Sequence, residues 1–178
     1  MIASKRPQRL LGIDPGLGRT GFGVIRVTSY RAPAIAESWG VMTTKPKPVM
    51  GERLQELYRD FTSLLQQTKP DQVAVETLFF IRNTTTAMPV AQARGILLLA
   101  LAEANLPVSE YSPMQIKKAL TGYGKATKPE MTTAVVQRLK LESPPRPDDA
   151  ADGLAIALTH QQLGLPLQAA HSAQCNAV

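Results

Sequence analysis

Four acidic residues of this chain stand in apolar surroundings, and they constrain the fold more than any other feature. Asp14 closes the run Leu10-Leu11-Gly12-Ile13, and Glu76 closes Val73-Ala74-Val75. Asp149 and Asp152 open the segment Asp149-Ala150-Ala151-Asp152-Gly153-Leu154-Ala155-Ile156. Ionised carboxylates are seldom placed among apolar residues unless they are paired or bind a cation. In the sequence the lysines and arginines lie mostly in other stretches, so a shared divalent cation is the economical explanation. The fold must then bring strand ends and a helix start to one place, as open α/β sheets do.

The periodicity of the chain predicts such a fold. Residues 9–14 read as a buried strand, followed by a Pro15-Gly16 turn, and 22–30 as the returning strand of a hairpin. Residues 34–42 read as a third antiparallel strand with Ile35, Trp39 and Val41 on one face. An amphipathic helix is predicted over 51–67, with Leu54, Leu57, Tyr58, Phe61, Leu64 and Leu65 at helical spacing. A short buried strand at 72–76 follows, then a helix over 86–104 that Pro89 either opens or bends. A strand at 108–111 leads to a helix over 113–120 with Ser112 as N-cap and Pro113 in its first turn. After a glycine- and lysine-bearing loop at 122–128, helices are expected at 129–140 and 148–163. Three strands followed by alternating helices and strands make a mixed α/β sheet. The expected organisation is a basic extension at 1–8, one domain over 9–163 and a loosely ordered tail at 164–178.

Composition narrows the function classes. The 178 residues suffice for one core without disulfides, and the single cysteine, Cys175, fits a reducing, cytoplasmic setting. The longest apolar run, 96–102, is too short for a membrane span, and no membrane partner is expected. A net charge of +6 favours polyanionic partners. The basic residues gather in loops and at helix edges, including Lys117, Lys118, Lys125 and Lys128. A basic rim around an acidic centre suits an enzyme acting on a phosphate backbone.

Asp149 and Asp152, three residues apart on a helix, share a face with β-carbons about 5–6 Å apart. Asp148 competes for that assignment, since it stands four before Asp152, or it is the N-cap. Together with Asp14 and Glu76 the pair offers oxygen ligands suited to Mg²⁺ or Mn²⁺. Two histidines and one cysteine argue against a dedicated zinc site.

The segments Leu11-Gly12-Ile13-Asp14-Pro15-Gly16, Val75-Glu76, Ala91-Gln92-Ala93-Arg94-Gly95 and Asp149-Ala150-Ala151-Asp152-Gly153-Leu154 resemble those of the RuvC family of crossover (Holliday) junction endonucleases. The similarity spans about residues 9–162, with the motifs in family order. The resemblance implies a ribonuclease-H-like five-stranded sheet and a Mg²⁺-dependent homodimer with two ions per site, where Mn²⁺ substitutes. It also implies partnership with the RuvA–RuvB branch-migration complex and symmetric nicks across four-way junction DNA that a ligase can seal. By position the catalytic and metal-binding acids are Asp14, Glu76, Asp149 and Asp152, with Asp14 expected to bridge the ions. Phe79 matches the residue that stacks on an unpaired base, with Arg82 in the same loop as a further DNA contact. Lys117 and Lys128 match functional lysines of the family, and Lys118 and Lys125 are added candidates for phosphate contact. The rival readings are a YqgF-like nuclease and a junction-binding protein without catalysis. An actin-like ATPase, whose domain is duplicated, needs a longer chain, and no P-loop is present.

Overall fold

A computed structural model of the chain describes residues 6–29, 31–78 and 84–175, of which 84–86 and 165–175 by backbone alone. Five strands form one sheet in the order β3-β2-β1-β4-β5. The strands are β1 (Gln8–Asp14), β2 (Arg19–Val27), β3 (Ile35–Thr43), β4 (Gln72–Glu76) and β5 (Val108–Tyr111). The first three pair antiparallel, and β4 and β5 add in parallel to β1. Helices α1 (Met50–Thr68) and α2 (Thr84–Glu103) cover one face. The other face carries α3 (Pro113–Thr121), α4 (Lys128–Leu139) and α5 (Asp148–Cys175). Among the described residues no helix is long and apolar enough to cross a membrane.

Strand alternation decides which residues meet which layer. In β1, Leu11 and Ile13 enter the core under α1 and α2, while Leu10 enters the core under α5. Asp14 therefore shares the α5 face with Leu10 and Gly12. In β4, Val73 and Val75 face α1 and α2 and Ala74 faces α5, so Glu76 emerges on the α5 side as well. Period two alone thus directs both strand-end acids toward one helix.

That helix lies directly on the strand backbones. A β-carbon added to Gly12 would stand 2.1 Å from the carbonyl oxygen of Gly153 and 2.4 Å from the nitrogen of Ala157. One added to Gly153 would stand 2.3 Å from the carbonyl carbon of Phe22. No side chain fits between α5 and the β1–β2 hairpin. Hydrophobic flanks complete the contact, with Leu154, Ile156 and Leu158 fully buried against Leu10, Ile25 and Val27.

Several expectations shift. The second strand begins at Arg19 rather than 22, because Arg19 pairs with Thr43 and Asp14 with Gly21. Ile35 does not share a face with Trp39 and Val41: the register slips between Val24 and Ile25, which sets Ile35 opposite Arg26 and Trp39 opposite Gly23. The second helix starts at Thr84, so Pro89 lies inside it and forgoes one backbone bond. Lys128 is the first residue of α4 rather than a loop residue. Asp148 is the first residue of α5, and α5 continues to Cys175, past the end expected at 163. The first strand already includes Gln8, and Arg6 reaches Asp71 at 2.5 Å. The expected face of α1 is borne out, with Leu57, Phe61, Leu64 and Leu65 buried. The Ser112 cap is too: its hydroxyl accepts the Gln115 N–H at 3.3 Å.

Gly153→Ala should lower stability by at least the ~1–3 kcal/mol typical of overpacking, since the facing atoms are backbone and cannot rotate away. Urea denaturation of the metal-free protein checks this, and an unchanged midpoint would contradict the close contact described.

Candidate active site

The acids sit on three rigid elements. Asp14 ends β1, Glu76 ends β4, and Asp149 and Asp152 occupy the first turns of α5. The turn after Asp14 is fixed by buried hydroxyls. Thr20 donates to the Gly16 carbonyl at 2.6 Å, and Thr44 donates to the Leu17 carbonyl while its N–H bonds that of Gly18 at 3.2 Å. Beyond Glu76 the ladder runs one bond further, from the Thr77 N–H to the Tyr111 carbonyl at 2.9 Å.

One oxygen from each of Asp14, Asp149 and Asp152 can be chosen so that all lie within 4.8 Å of one another. Glu76 joins the set through a hydrogen bond to Asp14. Asp14, Glu76 and Asp152 line a cleft of about 250 Å³ with Ile116, Lys117 and Lys128. Asp148 stays exposed, with Lys128 at 3.9 Å, so the geometry selects Asp149 and Asp152 as the pair facing Asp14.

Burial raises the Asp14 carboxyl to about 6, opposed by its bond with Glu76 and helped by the charges of Asp152 and Asp149. Burial raises Glu76 further, to about 8, helped by the neighbouring Asp14 charge and by that shared hydrogen bond. That bond acts in opposite directions on the two, lowering Asp14 and raising Glu76. Among the described residues neither acid is in an ion pair. Asp152 is also pushed up by burial, against the pull of Lys128.

The two α5 acids do have cationic partners, which the sequence order conceals. Lys128 stands 3.0 Å from Asp152 Oδ2. Burial lowers the Lys128 ammonium, but its bond to Asp152 and the charges of Asp152, Asp148 and Asp149 together outweigh this, and the net direction is up. Arg19 contacts Asp149, a partner that sequence reasoning did not single out. Of the candidate phosphate contacts, Lys117 and Lys128 reach the cleft, whereas Lys118 and Lys125 are exposed and do not line it. Phe79 and Arg82 lie outside the described residues. Arg94 of the Gln92-Ala93-Arg94-Gly95 motif donates to Glu110 of β5 rather than to the cleft.

The donor set is all carboxylate, close-spaced and partly desolvated, which fits a hard divalent cation. The described histidine with a resolved environment, His160, is buried away from it, bonded to Tyr111 and Gln72.

A mixed five-stranded sheet carrying carboxylates at two adjacent strand ends and a facing helix start defines a ribonuclease-H-like nuclease. Residues 10–160 match the family model of crossover junction endodeoxyribonuclease RuvC. A RuvC of Syntrophomonas wolfei is 46% identical over 152 residues, covering 85% of this chain and 87% of that protein. The structure of Thermus thermophilus RuvC superimposes with a TM-score of 0.80 at 39% identity, covering 88% of this chain and 95% of that one. The T. thermophilus RuvC in complex with a Holliday junction substrate gives 0.77 at 37% identity, covering 88% and 94%. The chain belongs to the RuvC family, and it is by that membership an endonuclease of crossover junctions.

Because Asp14 and Glu76 hold protons above the ordinary carboxylate range, cation binding displaces them. Apparent affinity for a divalent cation should therefore rise from about pH 6 to about pH 8 and level off above. The rise is up to about tenfold per pH unit for each proton displaced. Calorimetric titration in buffers of different ionisation enthalpy counts those protons, and a flat profile would contradict the assignment.

Proposed function

We propose that this chain resolves four-way DNA junctions by metal-dependent, symmetric cleavage of paired phosphodiesters, in recombination and DNA repair. The reading is carried by Asp14, Glu76 and Asp152 of β1, β4 and α5 lining one cleft, with Asp149 beside Asp14 and Asp152. Asp14, Glu76, Asp149 and Asp152 would hold the divalent ions, Mg²⁺ with Mn²⁺ as substitute and two per site. Bound there, they supply charge stabilisation at the scissile phosphate and a nucleophile active near neutral pH. Strands and a packed helix, not loops, position the carboxylates that would hold the ions. Lys117 and Lys128 present positive charge at the cleft to the phosphate backbone, which positions the strand without reading sequence. Lys118 and Lys125 extend that charge outward. Phe79 would stack on a base unpaired at the crossover, an interaction worth about 1–3 kcal/mol, with Arg82 beside it. A branch-migration complex of the RuvA–RuvB type is the partner that would supply the junction.

The test compares a synthetic four-way junction with linear duplex of the same sequence, in Mg²⁺ and in chelator. The expected result is junction-selective paired nicking that chelator abolishes. Asp14→Asn should retain the fold and lose roughly 10²-fold or more in rate, since about 1.4 kcal/mol corresponds to each decade. Near wild-type cleavage by this variant would sink the assignment. Junction binding without cleavage would instead support the non-catalytic reading.

Symmetric nicks call for two active sites, and α2 offers the surface for a homodimer. Its outer face exposes Met88 at 67% and Leu99 at 49%, with open space above Gly95 between them. Apolar side chains flanking a glycine let two helices approach closely. Leu99→Glu should leave the circular dichroism spectrum unchanged and convert the dimer to monomer in sedimentation velocity. A persistent dimer would place the interface elsewhere.

A further inference from the structure

Arg19 has no part in the roles assigned so far, yet its guanidinium is fixed to one of the four acids. Both Nε, at 2.7 Å, and Nη2, at 2.6 Å, meet the same oxygen of Asp149, Oδ2. Among the described residues Oδ1 accepts no hydrogen bond. An oxygen of Asp149 lies within 4.8 Å of oxygens from Asp14 and Asp152. The guanidinium engages only Oδ2, so the pair leaves Oδ1 open to a cation.

The fold sets up this contact. Residues 19, 21 and 23 of β2 alternate toward α5, and a β-carbon on Gly21 would stand 2.1 Å from the Asp149 carbonyl. The helix turn bearing Asp149 thus rests on the strand position two residues from Arg19. The strand start is rigid, since Arg19 pairs with Thr43 and Thr20 is bonded into the preceding turn. The guanidinium stays charged at any working pH and delivers its donors in a fixed fork. The negative charges of Asp14 and Asp152 repel Asp149, whose exposed side could otherwise turn to solvent.

We propose that Arg19 is a positioning residue for the metal centre: it holds Asp149 by Oδ2 so that Oδ1 is presented to a cation shared with Asp14 and Asp152. This rests on the divalent-metal reading of the site. Hydrogen-bonded partners of ligating carboxylates typically set metal affinity by 10- to 100-fold. The opposite role, a built-in cation that competes for Asp149, predicts the opposite sign.

Calorimetric titration of the DNA-free protein with Mn²⁺ separates these roles, using wild type, Arg19→Gln, Arg19→Lys and Asp14→Asn. The expected result is Mn²⁺ binding weakened about 10- to 100-fold in Arg19→Gln and less in Arg19→Lys. The metal-free melting temperature should not move, because the Arg19 side chain is 54% exposed and such pairs add little to stability. In junction cleavage, Arg19→Gln should need more Mn²⁺ for half-maximal rate and recover at saturating Mn²⁺. Binding equal to or tighter than wild type in Arg19→Gln would overturn the proposal, with Asp14→Asn still losing Mn²⁺. If wild type and Asp14→Asn bind Mn²⁺ alike, the metal reading itself fails, and this inference with it.

Discussion

Everything at the site depends on the absence of side chains between α5 and the β1–β2 hairpin. Gly12, Gly21 and Gly23 on the strands and Gly153 on the helix leave main chain facing main chain. A larger residue at any of these positions would lift the helix by the thickness of a methyl group. The acids on α5 would then recede from those at the strand ends, and a cation cannot bridge a gap that its ligands do not span. The small residues therefore set the spacing of the carboxylates, although none of them lines the cleft. Backbone contact also resists relaxation, because no rotamer change is available to absorb an added atom.

The cost of this arrangement is electrostatic. Four carboxylates are drawn together, two of them largely removed from water, and the protein answers each in a different way. Glu76 is pushed toward its neutral form by burial and by the Asp14 charge beside it. Asp152 leans on Lys128 and Asp149 on Arg19. Among the described residues the deepest acids, Asp14 and Glu76, are in no ion pair, and only the more distant charges of Lys128 and Lys117 act on them. Functional sites commonly hold such unfavourable clusters at the expense of stability.

Much of this was legible from sequence, for a physical reason. Asp14 and Glu76 announce themselves because an acid ending an apolar strand is costly anywhere else, and period two then fixes the face they share. The face of α1 and the Ser112 cap follow from local patterns that tertiary structure did not override. What stayed hidden needed long-range information. The start of β2 was obscured by Gly21, which weakens a strand signal while serving the helix contact. The slip between Val24 and Ile25 turned Ile35 to the opposite face, and a slip leaves no mark in the pattern of one strand. Arg19 stands 130 residues from Asp149, so no local rule pairs them.

The same logic explains the buried histidine of α5. His160 is almost wholly enclosed, and burial holds its imidazole down at about 4, so it is neutral at ordinary pH. Its two nitrogens are both used: the Tyr111 hydroxyl lies 2.8 Å from Nδ1, and the Gln72 side-chain oxygen lies 2.7 Å from Nε2. Tyr111 donating to Nδ1 requires the proton on Nε2, which then donates to Gln72. Tyr111 pairs with Glu76 across the sheet, and Gln72 opens the strand that Glu76 closes. The glycine contact holds the first turns of α5 over β1 and β2, but it leaves rotation toward β4 and β5 unspecified. A directional polar network at His160 adds a specific tie to the apolar contacts that α5 makes with Ala74 and Tyr111. Glycines set the height of the helix over β1 and β2, and His160 ties the same helix to β4 and β5, beside the strand end that bears Glu76.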